Sequence, residues 1–384
     1  MRILIDTHLS DEKTDGIGRY LNELVRALLR IDQQNEYVLL TNSGIGVTHQ
    51  LQSLEAPNLV KIPVGLRGLD WRAHFVIPRI MNRVRPDVYH HPHFDLPWFH
   101  NIPSLITVHG LKYIKHPEFY KCQSGSTRVY LKRVYMETMM GLSIRKAQRV
   151  IAVSRSVKDD IMSVFKTTHD KVSVVHLGSP LKHNISCTDA DISKFYKKYG
   201  IKGKVILFVG AQLPHKNLIR LIEAFDIFQK SIGGMFQLVI AGRSYSSYSK
   251  PLDKVQELAL EEKVIFTEHL RDDELKIIYR TAEVFVMPSL YEGFGLPVLE
   301  AMNNGVPVIA SNLSSLPEIV GEAGILVNPF HTQEIAAALE KIVTDNTTFR
   351  ELKVKGVERA GNFTWETAAQ QTLETYREVY EKSG

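Results

Sequence analysis

The sequence predicts an α/β protein made of two doubly wound domains. Short β-branched runs alternate with helical patterns along its 384 residues. The strand candidates are almost continuously apolar, which is typical of parallel strands covered by helices on both faces. A polar, turn-rich stretch at 178–203 interrupts the alternation near the middle of the chain. We therefore expect two parallel sheets, each with its own core, on either side of this stretch.

The first half of the chain supplies the elements of one domain. Its strand candidates are 2–6, 37–41, 87–91, 104–108, 149–153 and 171–175. Its helical patterns are 17–30, 72–84, 124–147 and 155–165. We assign residues 1–178 to this N-terminal domain and residues 179–203 to a linker.

The second half repeats the alternation of strands and helices. Its strand candidates are 205–210, 236–242, 263–267, 284–289, 306–311 and 324–328. The helical pattern at 217–232 places five apolar side chains on one face, with Asn217 as the predicted N-cap. They are Leu218, Leu221, Ile222, Phe225 and Phe228. We assign residues 204–365 to a C-terminal domain.

The composition restricts the cellular location and the kinds of partner that we expect for the protein. No apolar run approaches the roughly 20 residues that span a bilayer, and MRILIDTHLS is typical of a strand rather than of a signal peptide. Cys122 and Cys187 are too few for a disulfide framework, which favours a reducing cytoplasm. The net charge of +5 is too small to indicate a nucleic-acid partner.

One segment, LYEGFGLPVLEAMNNGVPVIA at 290–310, combines a strand end, a glycine-rich turn and a helix start. Pro297 suits the first position of that helix, because it has no backbone N–H, and Gly305 is placed to end it. In open parallel sheets, ligands bind beyond the carboxyl ends of the strands. A helix start of this kind attracts an anion through its backbone N–H groups. The residues expected to approach the anion are Gly293, Phe294, Gly295 and Leu296.

Two glutamates flank this predicted anion site. Carboxylates repel phosphate but accept hydrogen bonds from hydroxyl groups, each worth about 1.5–3 kcal/mol. Glu300 lies about one turn into the helix, where it could accept from a ribose diol. Glu292 lies before the turn, where a sugar ring could bind. A diphosphate with a hydroxylated ring at each end, a nucleotide sugar, fits this arrangement.

The E-x7-E spacing within EGFGLPVLEAM resembles the donor signature of the retaining GT-B glycosyltransferases, a family that includes bacterial mannosyltransferases. Further segments are similar to the family in the same order: IDTHL…TDGIGRYLNELVRAL, TVHGLKYIKHPEFY, RVIAVSRSVKDDI, FVGAQLPHKNLIRLIEAF and FTWE. The resemblance covers nearly the whole chain. It implies two Rossmann-like domains facing a cleft, and a last helix within 366–384 that returns to the N-terminal domain.

The resemblance also implies roles for residues of the C-terminal domain. Glu300 would bind the donor nucleotide, Glu292 would contact the donor sugar, and Lys216 would balance the charge of the diphosphate. An arginine that the family commonly places near this lysine is missing here. Arg243, after strand 236–242, is the replacement we consider for donor binding.

In the N-terminal domain, the resemblance places the donor phosphate or the acceptor near the backbone of Gly16 and Gly18, with Tyr20 on the acceptor side. His109 would lie against the transferred sugar, so we expect His109, Lys216 and Glu292 to be catalytic. Gly110, also on the acceptor side, stands where the family usually has an aspartate.

Three histidines, His90, His91 and His93, raise the question of a metal site. We find no carboxylate or cysteine pattern beside them, and DVYHHPHFDLP resembles an ordinary loop of the family. We therefore predict no metal ligands in this chain.

The segment 121–149 carries seven basic residues and one acidic residue, a surplus of +6. Arg128, Lys132 and Lys146 share one face of its predicted helix. Such a face attracts anionic lipid at about 1 kcal/mol per basic residue near the surface, but a solvated helix face has the same composition. We keep both interpretations. Both place the protein in the cytoplasm, and attraction to anionic lipid would also make it peripheral on the inner face of the cell membrane.

The expected function is metal-independent, retaining transfer of a hexose from a nucleotide diphosphate sugar to a saccharide or lipid-linked saccharide. No separate cofactor is expected. GDP-mannose is our first choice of donor, and UDP- or dTDP-sugars stay open. Two alternatives are a sugar-nucleotide-binding scaffold without turnover and a GT-B-like sugar-nucleotide epimerase.

Overall fold

The computed structural model describes residues 1–8, 16–42, 49–66, 70–120, 126–179 and 187–382. The chain forms two compact units. Unit 1 comprises Met1–Lys115, Tyr130–Gly178 and Phe363–Gly384, and unit 2 comprises His116–Val129 and Ser179–Asn362.

Unit 1 is built on a seven-stranded sheet in the order β3-β2-β1-β4-β5-β6-β7. All its strand pairs are parallel. The strands are β1 (Arg2–Asp6), β2 (Glu36–Asn42), β3 (Leu59–Val64), β4 (Val88–His91), β5 (Ser104–Val108), β6 (Arg149–Ala152) and β7 (Val172–Val174). Six of them match the predicted strands closely. β3 was not predicted because Lys61 and Pro63 interrupt its apolar run, and it forms the sheet edge, where proline is tolerated.

Unit 2 is built on a six-stranded parallel sheet in the order β10-β9-β8-β11-β12-β13. The strands are β8 (Lys204–Val209), β9 (Phe236–Ala241), β10 (Val264–Phe266), β11 (Ala282–Met287), β12 (Val308–Ser311) and β13 (Ile325–Val327). All six were predicted, with ends that differ by up to two residues. The parallel, apolar strands confirm the predicted fold class for each half of the chain.

Helices cover these sheets. Those of the first half are α1 (Gly16–Ile31), α2 (His49–Gln52), α3 (Ala73–Val84), α4 (Lys112–Lys115), α5 (Ser126–Lys146) and α6 (Arg155–Phe165). Those of the second half are α7 (Asp189–Tyr199), α8 (Leu218–Ile232), α9 (Lys250–Glu257), α10 (Asp272–Thr281), α11 (Leu296–Asn303), α12 (Leu316–Val320), α13 (Thr332–Thr344) and α14 (Asn346–Gly361). The last helix is α15 (Trp365–Glu381).

The segment that we predicted to be a linker contains helix α7. Thr188 and Asp191 form a reciprocal capping box at its start, which fixes where the helix begins. Its sequence, DADISKFYKKY, buries only Phe195, so the apolar periodicity that identifies most helices is weak here.

Helix α8 buries its predicted apolar face, and all five residues of that face are fully inaccessible to solvent. Asn217 stands at the N-cap of the helix, as predicted, but its side chain makes no capping hydrogen bond. Its backbone is left-handed, with φ of 60°. Its side-chain amide instead donates to the carbonyls of Pro288 at 3.1 Å and Pro329 at 2.7 Å. Asn217 therefore ties the start of α8 to two neighbouring loops.

Helix α15 packs within unit 1, next to α1. Trp365 at its start is 4% exposed, and a Cβ on Gly178 would lie 2.3 Å from the Trp365 backbone nitrogen. Further along α15, the Tyr376 hydroxyl lies 2.7 Å from His90 Nδ1. The last helix is thus part of the core of unit 1.

Candidate functional site

The strand order of unit 2 reverses between β8 and β11, which are neighbours at the centre of the sheet. The loops that follow these two strands run to opposite sides, and such a divergence leaves a crevice where ligands bind. The loop after β8 carries Lys216, and the loop after β11 carries Glu292. Chain topology alone therefore brings these two predicted site residues together.

Lys216 and Glu292 form an ion pair at this crevice. Lys216 Nζ lies 2.6 Å from Glu292 Oε1, and the two side chains are 12% and 13% exposed. The loops are also joined through their backbones, because the Leu290 N–H donates to the His215 carbonyl at 2.7 Å. The pair places one positive and one negative charge, both largely shielded from water, at the carboxyl edge of the sheet.

Two serines hold the glycine-rich turn in place. The Glu292 N–H donates to Ser314 Oγ at 3.0 Å. The Ser315 hydroxyl contacts the carbonyls of Phe294 at 2.7 Å and Glu292 at 3.1 Å. We did not predict these serines to belong to the site, although SNLSSLPE places two hydroxyls directly after strand β12. They fix the backbone from which Glu292 projects.

Gly295 stands at the N-cap of α11 with φ of 118°, a conformation that favours glycine. A Cβ there would lie 2.8 Å from Leu316 Cδ2. Leu296 is the first residue of the helix, so no carbonyl of the helix can accept its N–H. Pro297 is the second residue of the helix, one position later than predicted. Gly305 follows the helix end with φ of 69°, as predicted. This helix start can attract an anion, with a gain of about 0.3–1 kcal/mol from the helix dipole.

Glu300 lies inside α11 and is 3% exposed. Its Oε2 accepts a hydrogen bond from the Tyr279 hydroxyl at 2.8 Å. Tyr279 belongs to α10 and was not singled out from the sequence, because a tyrosine on the buried face of a helix has no distinctive signal. It orients the carboxylate that we expect to meet the ribose.

Arg243 follows β9 and is exposed. Its guanidinium lies over the Tyr245 ring, 5.3 Å from the centroid. The loops after β8 and β9 are joined, since the Gln212 N–H donates to the Arg243 carbonyl at 2.9 Å. The backbone of Arg243 is therefore tied to the loop that leads to Lys216, while its side chain stacks on Tyr245.

In unit 1, His109 follows β5, and its Nε2 lies 3.2 Å from the Pro92 carbonyl. Burial lowers the pKa of His109 to about 3, so the ring is neutral and Nε2–H is the donor. The Tyr20 ring packs edge-on against it with centroids 4.8 Å apart. Tyr20 is 2% exposed, and its hydroxyl lies 3.0 Å from Thr107 Oγ1. Tyr20 thus fixes the position of His109, and Gly110 follows with φ of 146°.

Gly16 and Gly18 lie in the first turn of α1. Gly16 is exposed, with open space where a Cβ would be, and Gly18 is buried. The preceding residues of the TDGIGRY motif, Thr14 and Asp15, lie outside the described residues. The structure therefore places the two glycines at a helix start but describes only part of the predicted phosphate loop.

A cluster of histidines and aspartates lies where the strand order of unit 1 reverses, between β1 and β4. His91 Nδ1 lies 3.2 Å from Asp6 Oδ2, and His91 Nε2 lies 3.0 Å from Asp95 Oδ1. His93 Nδ1 lies 2.6 Å from the same Asp95 oxygen. Our statement that no carboxylate accompanies these histidines is therefore wrong. The spacing His-x-His-x-Asp at 91, 93 and 95 was the signal that we missed.

The charges in this cluster stabilise one another. Burial alone would lower the pKa of His91, but hydrogen bonds to Asp6 and Asp95 outweigh it and raise that pKa to about 9. Burial alone would raise the pKa of Asp6 and of Asp95, but contacts with histidines outweigh it and lower both pKa values. His8 and His91 lower the pKa of Asp6, and His91 and His93 lower that of Asp95.

His90 lies outside this cluster. Its Nε2 lies 2.8 Å from Thr107 Oγ1, and its Nδ1 contacts Tyr376 of α15. Burial lowers the pKa of His90 to about 3, which keeps the ring neutral. His90 is therefore a core residue that links strand β4 to the last helix.

The predicted basic helix corresponds to α5. Lys121 and the side chain of Arg128 lie outside the described residues. The Lys132 ammonium lies over the Tyr113 ring at 4.5 Å, and Lys146 donates to the Trp98 carbonyl. Large apolar side chains are exposed among the charges: Tyr130, Leu131, Val134, Tyr135 and Leu142. Within the described residues, no helix has the length and hydropathy required to cross a membrane.

Two family models match the chain, one for each half. The model described as Glycosyltransferase Family 4 matches residues 14–182. The model described as Glycosyl transferases group 1 matches residues 191–360. The second range contains Lys216, Glu292, Glu300 and the glycine-rich turn. The first contains His109 and, from the cluster, His91, His93 and Asp95.

A full-length relative and several solved structures agree with these matches. The chain is 28% identical to the O-antigen chain mannosyltransferase B of Escherichia coli, over 98% of this chain and 100% of that protein. The sucrose-phosphate synthase of Thermosynechococcus elongatus has a TM-score of 0.76 at 23% identity, and both chains are covered completely. HepE of Anabaena, solved in complex with UDP-glucose, has a TM-score of 0.75 at 18% identity, over 98% of this chain and 100% of that chain. At these identities the structural likeness shows the fold alone, and it confirms the predicted GT-B class.

Proposed function

We propose that this chain transfers mannose from GDP-mannose to a saccharide or lipid-linked saccharide. The chain belongs to the glycosyltransferases that combine a Family 4 domain with a group 1 domain. Transfer of a sugar follows from the family. The choice of mannose is supported by the full-length E. coli relative, which is named as a mannosyltransferase.

The observation that carries the donor-site proposal is the Lys216–Glu292 pair at the point of strand reversal in unit 2. The donor diphosphate would bind at the start of α11, with its negative charge facing Lys216. Glu292 would then exchange part of its contact with Lys216 for hydroxyls of the donor sugar. Glu300, already oriented by Tyr279, would accept hydrogen bonds from the ribose.

We propose that the transfer retains the anomeric configuration. The bond between C1 of the sugar and the phosphate oxygen breaks, and the acceptor oxygen forms its bond to C1 on the same face. The acceptor proton passes to the departing phosphate oxygen, so no enzyme nucleophile takes part. Lys216 stabilises the charge that develops on the leaving diphosphate. The family resemblance supports this course, in which His109 would lie beside the transferred sugar.

The diphosphate in this proposal is neutralised by Lys216 and helix dipoles, without a bridging metal ion. We therefore expect the Kd for GDP to be the same in EDTA and in millimolar Mg²⁺. Tighter binding of GDP in Mg²⁺, abolished by EDTA, would show that a metal ion bridges the phosphates.

Calorimetric titration tests the donor site. Wild-type protein should bind GDP-mannose more tightly than UDP- or dTDP-sugars, and Glu300→Gln should weaken binding about 10- to 100-fold through loss of one charged hydrogen-bond acceptor. Glu322→Gln, an exposed carboxylate of the same unit, is the matched control and should bind like wild type. Unchanged affinity in Glu300→Gln would contradict the assignment.

Anomeric configuration and turnover require a product assay. Incubation of GDP-mannose with a mannoside acceptor should give an α-mannoside, identified by its one-bond carbon–hydrogen coupling in NMR. A β-linked product would exclude retention. Binding without transfer across mono-, oligo- and lipid-linked mannosides would favour a binding scaffold instead.

We also propose that α5 contacts anionic membranes, supported by exposed aromatic and aliphatic side chains beside its basic residues. Co-sedimentation with phosphatidylglycerol vesicles should decrease as salt increases. The double variant Lys132→Gln, Arg145→Gln should bind less than wild type, and Lys202→Gln, an exposed lysine of unit 2, is the control. Co-sedimentation that is unchanged by salt and by the double substitution would contradict this proposal.

A further inference from the structure

We propose that unit 1 binds one zinc-like divalent ion through His91 Nε2, His93 Nδ1 and the carboxylate of Asp95. This site is separate from the residues assigned to donor binding, all of which except Gly16 and Gly18 lie in unit 2. It does not depend on the identity of the donor.

The three potential ligand atoms converge. All lie within 4.8 Å of one another, with Asp95 Oδ1 at 3.0 Å from His91 Nε2 and 2.6 Å from His93 Nδ1. Ligands bound to tetrahedral zinc at about 2.0–2.2 Å lie roughly 3.3–3.6 Å apart. Binding the ion would therefore require the Asp95 oxygen to move several tenths of an ångström away from each ring nitrogen, and the two nitrogens, which lie within 4.8 Å of each other, to approach by up to about 1.5 Å. The chain bends at 92–94, directly after β4, and this bend brings the three side chains to one point.

His91, one of the proposed ligands, is held in its orientation by neighbouring residues, as is typical of metal-binding histidines. A metal-bound histidine usually contacts a carboxylate through its other ring nitrogen, which fixes the tautomer and the ring orientation. His91 does this with Asp6, at 3.2 Å through Nδ1. Asp6 is fully buried, and the same oxygen, Oδ2, also accepts a hydrogen bond from the Tyr89 hydroxyl at 2.7 Å. His91 Nε2 is thereby directed towards Asp95 and the proposed ion.

The position of the cluster also suits a binding site. It lies at the strand reversal of unit 1, the place where a doubly wound sheet opens a crevice. His91 is almost fully buried, while His93 and Asp95 are 19% and 13% exposed, so an ion can enter from the solvent side. Two imidazoles and one carboxylate favour zinc over magnesium, which prefers oxygen ligands. Three protein ligands also leave a coordination position for water or a sugar hydroxyl.

The alternative occupant of this position is a proton. His91 contacts a carboxylate oxygen with each ring nitrogen, and carboxylates only accept hydrogen bonds. Without an ion, His91 would therefore be an imidazolium between Asp6 and Asp95. The experiment below separates these two states.

Tag-free protein, treated with EDTA and desalted, is titrated with ZnCl₂ by calorimetry. The proposal predicts one zinc per chain. His93→Gln and Asp95→Asn should each weaken binding at least 10-fold, and Asp6→Asn, which acts through His91, by about 10- to 100-fold. His331→Ala, an exposed histidine that pairs with Glu334 in unit 2, is the control and should bind like wild type. Mg²⁺ should not compete.

Substitution by Co²⁺ provides a second readout that does not depend on activity. Bound Co²⁺ in a site with two nitrogens and one carboxylate should give visible absorption bands that disappear in His93→Gln, and circular dichroism confirms that this variant is folded. Zinc that binds equally to wild type, His93→Gln and Asp95→Asn, or no binding to wild type, would overturn the proposal and leave the imidazolium as the occupant.

Discussion

Lys216 and Glu292 illustrate how single residues determine this site. The 2.6 Å contact between them means that each holds the other's charge in a place with little access to water. Removing the ammonium would leave a shielded carboxylate without its partner, at a cost of about 1.5–3 kcal/mol. The same change would remove the cation that we expect to face the leaving diphosphate.

We predict that Lys216→Met lowers kcat for mannose transfer about 100-fold or more, as expected when a charge-stabilising group is lost. Lys216→Arg should keep most of the stability and part of the activity, because it keeps the charge. Steady-state kinetics and urea unfolding measure the two effects. Lys202→Met is the matched control, and a Lys216→Met variant with wild-type kcat would exclude Lys216 from charge stabilisation.

His109 supplies a prediction about pH. Burial lowers its pKa from 6.5 to about 3 in the folded chain, so between these values the unfolded chain binds a proton that the folded chain does not. The stability due to neutral His109 is thus present above pH 6.5 and decreases as the pH falls towards 3. The His109 ring should stay neutral at pH 5 in ¹⁵N NMR.

A His109→Gln variant should lose stability less steeply than wild type between pH 7 and pH 5, measured by the urea midpoint. Equal slopes, or a His109 ring that protonates near pH 6.5, would contradict this account.

The residues of the two candidate sites differ in how well the sequence predicts their positions. Lys216, Glu292 and Glu300 follow strand or helix boundaries that periodicity locates, so the sequence alone placed them in one region. Asp95, Ser314 and Tyr279 reach their partners through loop bends and helix packing. These contacts depend on tertiary structure, and among the three residues only Asp95 had a local signal, the spacing His-x-His-x-Asp.

At the scale of elements, the turn before α11 depends on Gly295. We predict that Gly295→Ala destabilises the protein by about 1–3 kcal/mol, because the backbone has φ of 118° and Cβ would meet Leu316. It should also weaken binding of GDP-mannose, since the helix start would shift. Thermal unfolding and calorimetry measure these changes.

Gly361→Ala is the matched control for Gly295→Ala. Nothing lies within 4 Å of its Cβ position, and alanine is the better helix former by up to about 1 kcal/mol. It should be neutral or stabilising. If both glycine variants behave alike, the conformation of Gly295 is not important.

Most elements were predicted because apolar residues recur with the period of a strand or a helix. Two of the elements that were not predicted share a physical cause: β3 is a half-exposed edge strand, and α7 buries little apolar surface. Other helices were also not assigned from the sequence, namely α2, α4, α9, α10, α12, α13 and α14. Elements that bury little surface leave a weak pattern in the sequence. The polar composition at 179–203 therefore did not reveal helix α7.

At the scale of the whole molecule, the last helix completes the core of unit 1. We predict that Trp365→Ala destabilises unit 1 by about 3–5 kcal/mol, as is usual for a buried tryptophan. Amide hydrogen exchange should accelerate in β1, β4 and β5 and remain unchanged in β8, β9 and β11. Equal acceleration in both sheets would show that the two units unfold as one.

The central claim is that unit 2 holds the donor where β8 and β11 diverge. A crystal structure of the protein soaked with GDP-mannose tests it most directly. We predict density for the diphosphate at the start of α11 near Lys216, with the ribose on Glu300 and the mannose on Glu292. Donor density at the carboxyl edge of the unit 1 sheet alone, or against neither Lys216 nor Glu300, would contradict the claim.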